Sequence, residues 1–308
     1  MFHVKQSGEA SSSFSLDDSP IAREIADLSA RRRALEAAAV TLSGRTRVLT
    51  VSNQKGGVGK TTTAVNMSAA LASVGARVLV IDLDPQGNAS TALGVKHNAE
   101  TPSIYDVLIN EVPLADIVQT SPESRNLLCA PSTIHLAGAE IELVSQVARE
   151  HRLRGALREY LEIEGNHFDF VIIDCPPSLG LLTINAFTAA DEVMIPIQCE
   201  YYALEGLSQL LGSVQMIQKH LNPKLHVSTI LLTMYDGRTR LAQQVAEEVR
   251  SHFTHEVLST VIPRSVRVSE APSFGQTVIA YDGQSAGAIA YREAAVEIVA
   301  RDTTEKDS

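Results

Sequence analysis

The stretch Val51-Ser52-Asn53-Gln54-Lys55-Gly56-Gly57-Val58-Gly59-Lys60-Thr61-Thr62 decides how the rest of the chain is read. An apolar run from Val48 to Val51 leads into it, and a helical pattern from Thr61 to Ser73 leads out. Strand, glycine-rich turn and helix together make a phosphate cradle. Glycines let the backbone turn its N–H groups toward an anion, and the helix N-terminus adds positive potential. Lys60 can reach β- and γ-phosphates, and the Thr61 hydroxyl can ligate magnesium. Gly56, Gly57, Val58, Gly59 and Thr62 complete the candidate nucleotide contacts.

Outward from this turn, apolar runs alternate with helical patterns. Arg77–Leu83 (RVLVIDL), Asn126–Ala130, Phe168–Asp174 (FDFVIID), Glu192–Ile197 (EVMIPI), Val227–Met234 and Val257–Ile262 read as further strands. Runs apolar throughout fit strands buried on both faces of a parallel sheet. Helices are expected at Ala137–Arg149, Arg152–Leu161, Leu179–Ala190, Ala203–His220 and Ser285–Ala300. Another is marked by Leu241, Val245, Val249 and Phe253, which recur every fourth residue as on one helical face. The pattern predicts an α/β fold, a doubly wound and mostly parallel sheet with helices on both faces.

Two acidic strand ends accompany the glycine-rich turn. Asp82-Leu83-Asp84-Pro85-Gln86-Gly87-Asn88 follows one strand, and Val171-Ile172-Ile173-Asp174-Cys175-Pro176-Pro177 closes another. Carboxylates at the C-terminal edge of parallel strands sit where open α/β sheets bind ligands. Asp174 can hold magnesium, usually through water.

The turn departs from the general pattern G-x-x-x-x-G-K-[ST], which needs glycine where this chain has Gln54; it has instead a second lysine, Lys55. The run K-G-G-V-G-K-T-T resembles the deviant Walker A motif of the MinD/ParA superfamily of dimeric ATPases. D-x-D-P-Q-G-N resembles that family's switch I, and D-C-P-P its Walker B strand continuing into switch II. Leu136–Leu143 (LAGAEIEL) is similar to the chromosomal ParA/Soj branch, and the likeness runs from about Arg47 to Arg301. The resemblance implies a P-loop NTPase using ATP and Mg2+, with Lys55 crossing a homodimer interface to the partner's nucleotide. It gives Asp84 the attacking water and makes Pro263 and Ser265, in the segment after the last strand, candidates for the adenine pocket. It further implies non-specific binding of double-stranded DNA by the ATP-bound dimer, through basic residues of which Arg238, Arg240, Arg250, Arg264 and Arg267 are the available ones. A ParB-like centromere-binding partner would stimulate an otherwise weak hydrolysis, and the protein would be cytoplasmic and nucleoid-associated.

Composition bears on the alternatives. A formal net charge of −10 argues against a surface uniformly coated for nucleic acid but leaves room for a local basic patch. Cys129, Cys175 and Cys199 lie in or beside apolar runs without metal-ligand spacing, as buried thiols of a reducing cytosol do. A MinD-like membrane-surface regulator would need a basic amphipathic C-terminal helix, whereas the chain ends in a polar tail, residues 302–308. An iron–sulfur dimer of the nitrogenase iron-protein kind needs interface thiolates that these cysteines do not match.

No membrane span and no secretory signal are expected. The ATPase domain is expected over 47–301. Residues 1–46 form an extension, disordered over 1–18, with Ser19-Pro20 opening a helix over 20–41 that carries Arg31-Arg32-Arg33. A solvated tail helix, a DNA-contacting arm and a partner-docking helix all fit it.

Overall fold

The computed structural model describes residues 20–201 and 203–304. The expected disorder of residues 1–18, the Ser19 cap and the last four residues of the tail lie outside these. In chain order the elements are α1 (Pro20–Ala37), β1 (Arg47–Val51), α2 (Lys60–Ser73), β2 (Val78–Asp82), α3 (Asn88–Ala92), α4 (Ile104–Asn110), β3 (Gln119–Thr120) and β4 (Leu127–Ala130). There follow α5 (Leu136–Glu142), α6 (Arg152–Leu161), β5 (Phe170–Asp174), α7 (Leu181–Ala189), β6 (Glu192–Gln198), α8 (Ala203–His220), β7 (His226–Tyr235), α9 (Arg240–His252), β8 (Val257–Pro263), α10 (Val266–Glu270), α11 (Val278–Tyr281) and α12 (Ala286–Thr304).

The strands form one sheet in the order β3-β4-β2-β5-β1-β6-β7-β8. All neighbours run parallel except the short β3, which lies antiparallel to β4. Alternation along each strand divides the core in two. Val48, Leu79, Ile81, Val171 and Ile173 face the layer of α4 to α9, while Leu49, Val51, Val78, Val80 and Ile172 face α2 and α12. Side chains of successive strand residues point to opposite faces, so a run buried throughout requires helices on both.

The sheet register positions the site. β1 and β2 both flank β5, and Val51, Asp174 and Asp82 fall in one row across the three strands. The turn after β1 and the two carboxylates therefore leave the same edge side by side. The chain moves from β1 outward to β2 and β4, then returns through β5 and crosses β1 to build β6, β7 and β8. Such a reversal opens the crevice in which α/β sheets bind ligands.

At the opposite end of β1, Arg47 makes two charge-assisted bonds to Glu192 of β6, Nε to Oε1 at 2.8 Å and Nη2 to Oε2 at 2.7 Å. Its Nη1 donates to the Ile298 carbonyl at 3.0 Å. Burial pushes the Glu192 carboxyl up, but Arg47 outweighs it and holds the group below its ordinary range. The outer strand β8 is bulged: a step of two residues along β7, from Ile230 to Leu232, matches a step of four along β8, from Val257 to Val261. Within the bulge the Ser259 and Thr260 N–H groups both donate to the Glu297 carboxylate of α12, at 2.7 and 3.0 Å.

Several local expectations are corrected. The helix expected over Ala137–Arg149 stops at Glu142 and passes through one 3-10 turn, Leu143–Ser145. Ala148 then takes a left-handed φ of 50°, and the Arg149 guanidinium satisfies the Val144 carbonyl in place of a further helical turn. On α9 the buried face is Ala242, Val245, Ala246 and Val249, with Leu241 half exposed. Steps of four drift around a helix of 3.6 residues per turn, so Leu241 falls off the edge of the stripe.

The first helix ends at Ala37, not 41. Val40 and Leu42 pack on the α2–α12 core two residues apart, a spacing of extended chain. Arg31 leaves the basic triplet to grip Glu293 of α12, Nε to Oε1 at 2.8 Å and Nη2 to Oε2 at 2.6 Å. At the other end α12 continues through residues 302–304, where a polar tail was expected.

Candidate functional site

The glycine-rich turn is anchored from below and open above. Ser52 N–H donates to the Met194 carbonyl at 3.1 Å, Asn53 Nδ2 to Pro196 O at 2.9 Å, and Thr233 Oγ1 to Val58 O at 2.8 Å. Neighbouring strands β6 and β7 thus hold the turn, while Gly56 and Gly57 are exposed and Val58 is buried as its apolar peg. Gly57 and Gly59 have φ of 75° and 87°, the left-handed region that favours glycine. Gly59 caps α2, so Lys60, Thr61 and Thr62 are its first residues and their N–H groups stand at the helix N-terminus.

Lys60 lies almost wholly buried, its ammonium donating to the Lys55 carbonyl at 3.1 Å. Burial pulls its pKa down, against the pull of Asp174 and Asp84. Asp174 is completely buried, and neither of its carboxylate oxygens has a hydrogen-bond partner of ordinary geometry among the described residues. Burial pushes its pKa well up, and the neighbouring Asp82 adds to this, while the Thr61 hydroxyl and the charge of Lys60 oppose it. An unpaired buried carboxylate is costly, and it points to a cation that this pocket is built to receive.

Asp82, which the sequence reading passed over in favour of Asp84, is the partner carboxylate. It is equally buried and accepts from Ser90 N at 2.8 Å, Ser90 Oγ at 2.7 Å and Asp84 N at 3.1 Å. Desolvation carries it to about 6 despite these bonds. Its signal was in the sequence: like Asp174, it ends an apolar strand. Asp84 itself is partly exposed beyond the strand end, and its side chain accepts from Gln86 N at 2.9 Å. It is the carboxylate of the three with room to meet a water.

Lys55 sits on the open side and meets Glu200 Oε2 at 2.9 Å, a partner that no motif announced. Pro263 ends β8 opposite Tyr235, and Ser265 stands just before the first residue of α10. Both lie on the same edge of the sheet as the turn, which β7 approaches through Met234, with Cε 3.7 Å from the position a Cβ on Gly59 would take.

The five arginines are not one cluster. Arg238 and Arg264 flank Asp236, whose carboxyl the Arg238 hydrogen bonds pull down to about 2. Arg267 is paired with Glu270 and Asp282 at 3.2 and 3.4 Å. Arg240 opens α9, whereas Arg250 lies about 15 Å along that helix at 1.5 Å per residue, against the Ser259 carbonyl. The three cysteines are free and buried, and burial raises Cys175, beside Thr50 at 3.0 Å, to about 12 and Cys199 to about 11.

Comparison with known proteins agrees with this geometry. A family model described as an AAA domain matches residues 46–227. The sporulation initiation inhibitor protein Soj of Bacillus subtilis is 54% identical over 254 residues, covering 82% of this chain and 98% of its own. The chromosome partitioning protein ParA of Myxococcus xanthus is 51% identical, over 83% and 89%. The chain belongs to the ParA/Soj family of partitioning proteins.

Among solved structures, one described as cobyrinic acid a,c-diamide synthase of Mycobacterium smegmatis, with ADP and magnesium, matches with a TM-score of 0.72. It is 39% identical over 85% of this chain and 97% of that one. The septum site-determining protein MinD of Pyrococcus horikoshii with Mg-ADP matches with a TM-score of 0.65 at 26% identity, over 82% and 96%. The ParA/Soj chain thus has the P-loop NTPase fold of these two nucleotide-bound structures. No helix among its described residues is long and apolar enough to cross a membrane.

Proposed function

We propose that this ParA/Soj protein is a partitioning ATPase in which ATP with Mg2+ closes a sandwich homodimer, the dimer holds double-stranded DNA non-specifically, and a ParB-like centromere-binding protein triggers hydrolysis and release. The observation that carries this reading is the meeting of the glycine turn with a buried lysine and an unpaired buried carboxylate at one row of strand ends.

The chemistry follows from the residues. The N–H groups of Gly56 to Thr62 and the α2 N-terminus receive the phosphates, and Lys60 exchanges the Lys55 carbonyl for phosphate oxygen. The unpaired Asp174 and the Thr61 hydroxyl fit a hard, oxygen-seeking cation, with Asp82 behind them. Magnesium held there would neutralise charge on the phosphates. Asp84 orients the attacking water. Pro263 and Ser265 border the adenine, and Lys55 supplies positive charge to the nucleotide of the opposite subunit. DNA contact falls to Arg238, Arg240, Arg250, Arg264 and Arg267, whose binding should weaken steeply with salt. Residues 47–301 carry these functions, and the protein works in the cytoplasm on the nucleoid.

The membrane-surface reading is not favoured. α12 commits its apolar residues, among them Tyr291, Ile298 and Val299, to the core against α2 and β8. The test is DNA co-sedimentation with ATP, ADP or neither, across a salt series, for wild type, Lys55→Ala and Asp84→Ala. Retention by wild type only with ATP, lost in Lys55→Ala and kept in Asp84→Ala, is the expected result. Retention under no condition would remove the DNA step and send the protein to a vesicle-binding assay.

A further inference from the structure

The two lysines of the glycine turn are coupled, and the second is tied to its own subunit. Lys60 holds the Lys55 carbonyl at 3.1 Å, and Lys55 Nζ meets Glu200 Oε2 at 2.9 Å. Glu200 stands between β6 and α8 and is itself positioned. Its N–H donates to the Gln198 carbonyl at 2.8 Å, its carbonyl accepts from Ala203 N at 3.0 Å, and its other carboxylate oxygen accepts from Gln198 Nε2 at 2.5 Å. The backbone of Lys55 is fixed as well, through its N–H on Asn53 Oδ1 at 3.0 Å. β6 thus anchors the base of the turn through Pro196 and offers its outer lysine a carboxylate one turn away. The Lys55 and Glu200 side chains remain 37% and 47% exposed, so the pair can open without stranding a buried charge.

We infer that Glu200 is a latch that holds Lys55 on its own subunit and sets the threshold for ATP-driven dimerisation. This rests on the sandwich reading above: one ammonium cannot serve both the carboxylate of its own chain and the phosphates of the other. Phosphates entering the cradle draw Lys60 off the Lys55 carbonyl, which loosens the same residue at its backbone. Closing the dimer opens two latches, one in each subunit, so the bias of a single pair enters the dimer constant twice. A partly exposed ion pair shifts an equilibrium about two- to fivefold, so removing both should shift dimerisation about four- to twenty-fivefold.

Sedimentation velocity with a non-hydrolysable ATP analogue tests this for wild type, Glu200→Gln, Lys55→Ala and the double variant. Glu200→Gln is expected to dimerise at about four- to twenty-fivefold lower protein concentration than wild type, with the gap closing as salt screens the pair. Its analogue affinity at concentrations where all chains are monomeric should match wild type, and Glu200→Ala should repeat the result. The double variant should behave as Lys55→Ala does. Dimerisation of Glu200→Gln equal to or weaker than that of a normally dimerising wild type overturns the latch and leaves the sandwich standing. A double variant that dimerises better than Lys55→Ala also overturns it, since Glu200 would then act on the partner through its charge alone. If wild type and Glu200→Gln both stay monomeric with the analogue, the sandwich reading itself falls, and the latch with it.

Discussion

The two ends of β1 carry buried charge in opposite conditions. At its start, Arg47 and Glu192 satisfy each other in a fork, with the Ile298 carbonyl taking a third bond. At its end, Asp174 lies as deeply buried with both oxygens unpaired, beside an Asp82 that desolvation raises to about 6. The strand is five residues long, so the same sheet supports both. The difference teaches where the fold is closed and where it is waiting. A satisfied pair fixes structure, whereas an unsatisfied one stores a demand that a ligand can meet.

The contrast breaks most visibly at the satisfied end. Arg47→Ala leaves the Glu192 carboxylate buried without its guanidinium, which should destabilise the protein by about 3–5 kcal/mol in urea unfolding. Arg47→Met with Glu192→Leu should recover most of that loss. If Arg47→Ala costs nothing, the two ends do not differ as described. Next in size is Asp84→Ala, expected to lower ATP turnover by about a hundredfold or more while nucleotide still binds, read by phosphate release and fluorescence titration.

Asp174→Asn should act with the opposite sign to Arg47→Ala. Removing an unpaired buried charge should raise the stability of the nucleotide-free protein by about 1–2 kcal/mol. The same change should abolish the gain in melting temperature that Mg-ATP gives wild type. A nucleotide-free loss of stability would mean that Asp174 has a partner in solution. The smallest effect is acid sensitivity at the satisfied end. Glu192 is held below its ordinary range in the folded state, so its contribution is complete above the unfolded value of about 4.3. That contribution drains away as pH falls through the folded value. Urea midpoints between pH 5 and pH 3 should fall more steeply in wild type than in the Arg47→Met, Glu192→Leu variant.

Much of this was legible in the chain. The strands β2 and β5 could be read because a doubly covered parallel strand runs apolar on both faces, as VLVID and FVIID do up to their acidic ends. The glycine turn declared itself because Gly57 and Gly59 occupy backbone conformations that other residues resist. Asp82 was visible as a strand end, but the motif drew attention to Asp84 two residues on. Other features had no local signature. The Lys55–Glu200 pair joins residues 145 apart in sequence, and Arg31–Glu293 joins residues 262 apart. Contacts of that span are set by how α8 and α12 land on the sheet. The premature end of α5 likewise has no local signature: Gln146 is already extended and Ala148 then takes a left-handed φ, which nothing in the composition encourages.

Glu297 carries a further consequence. The outermost strand of a parallel sheet offers unpaired N–H groups to any passing strand, and chains that leave them free stack edge to edge. Here the bulge of β8 turns two such groups into one carboxylate of α12, and at the far side β3 closes the row of β4 with a reversed strand. Growth by strand addition is thereby blunted on both flanks, which leaves the ligand-bearing edge for the contact that the proposed dimer requires. In the proposed sandwich, assembly would then favour a closed pair over an open fibre, with the nucleotide at that edge as the means of control.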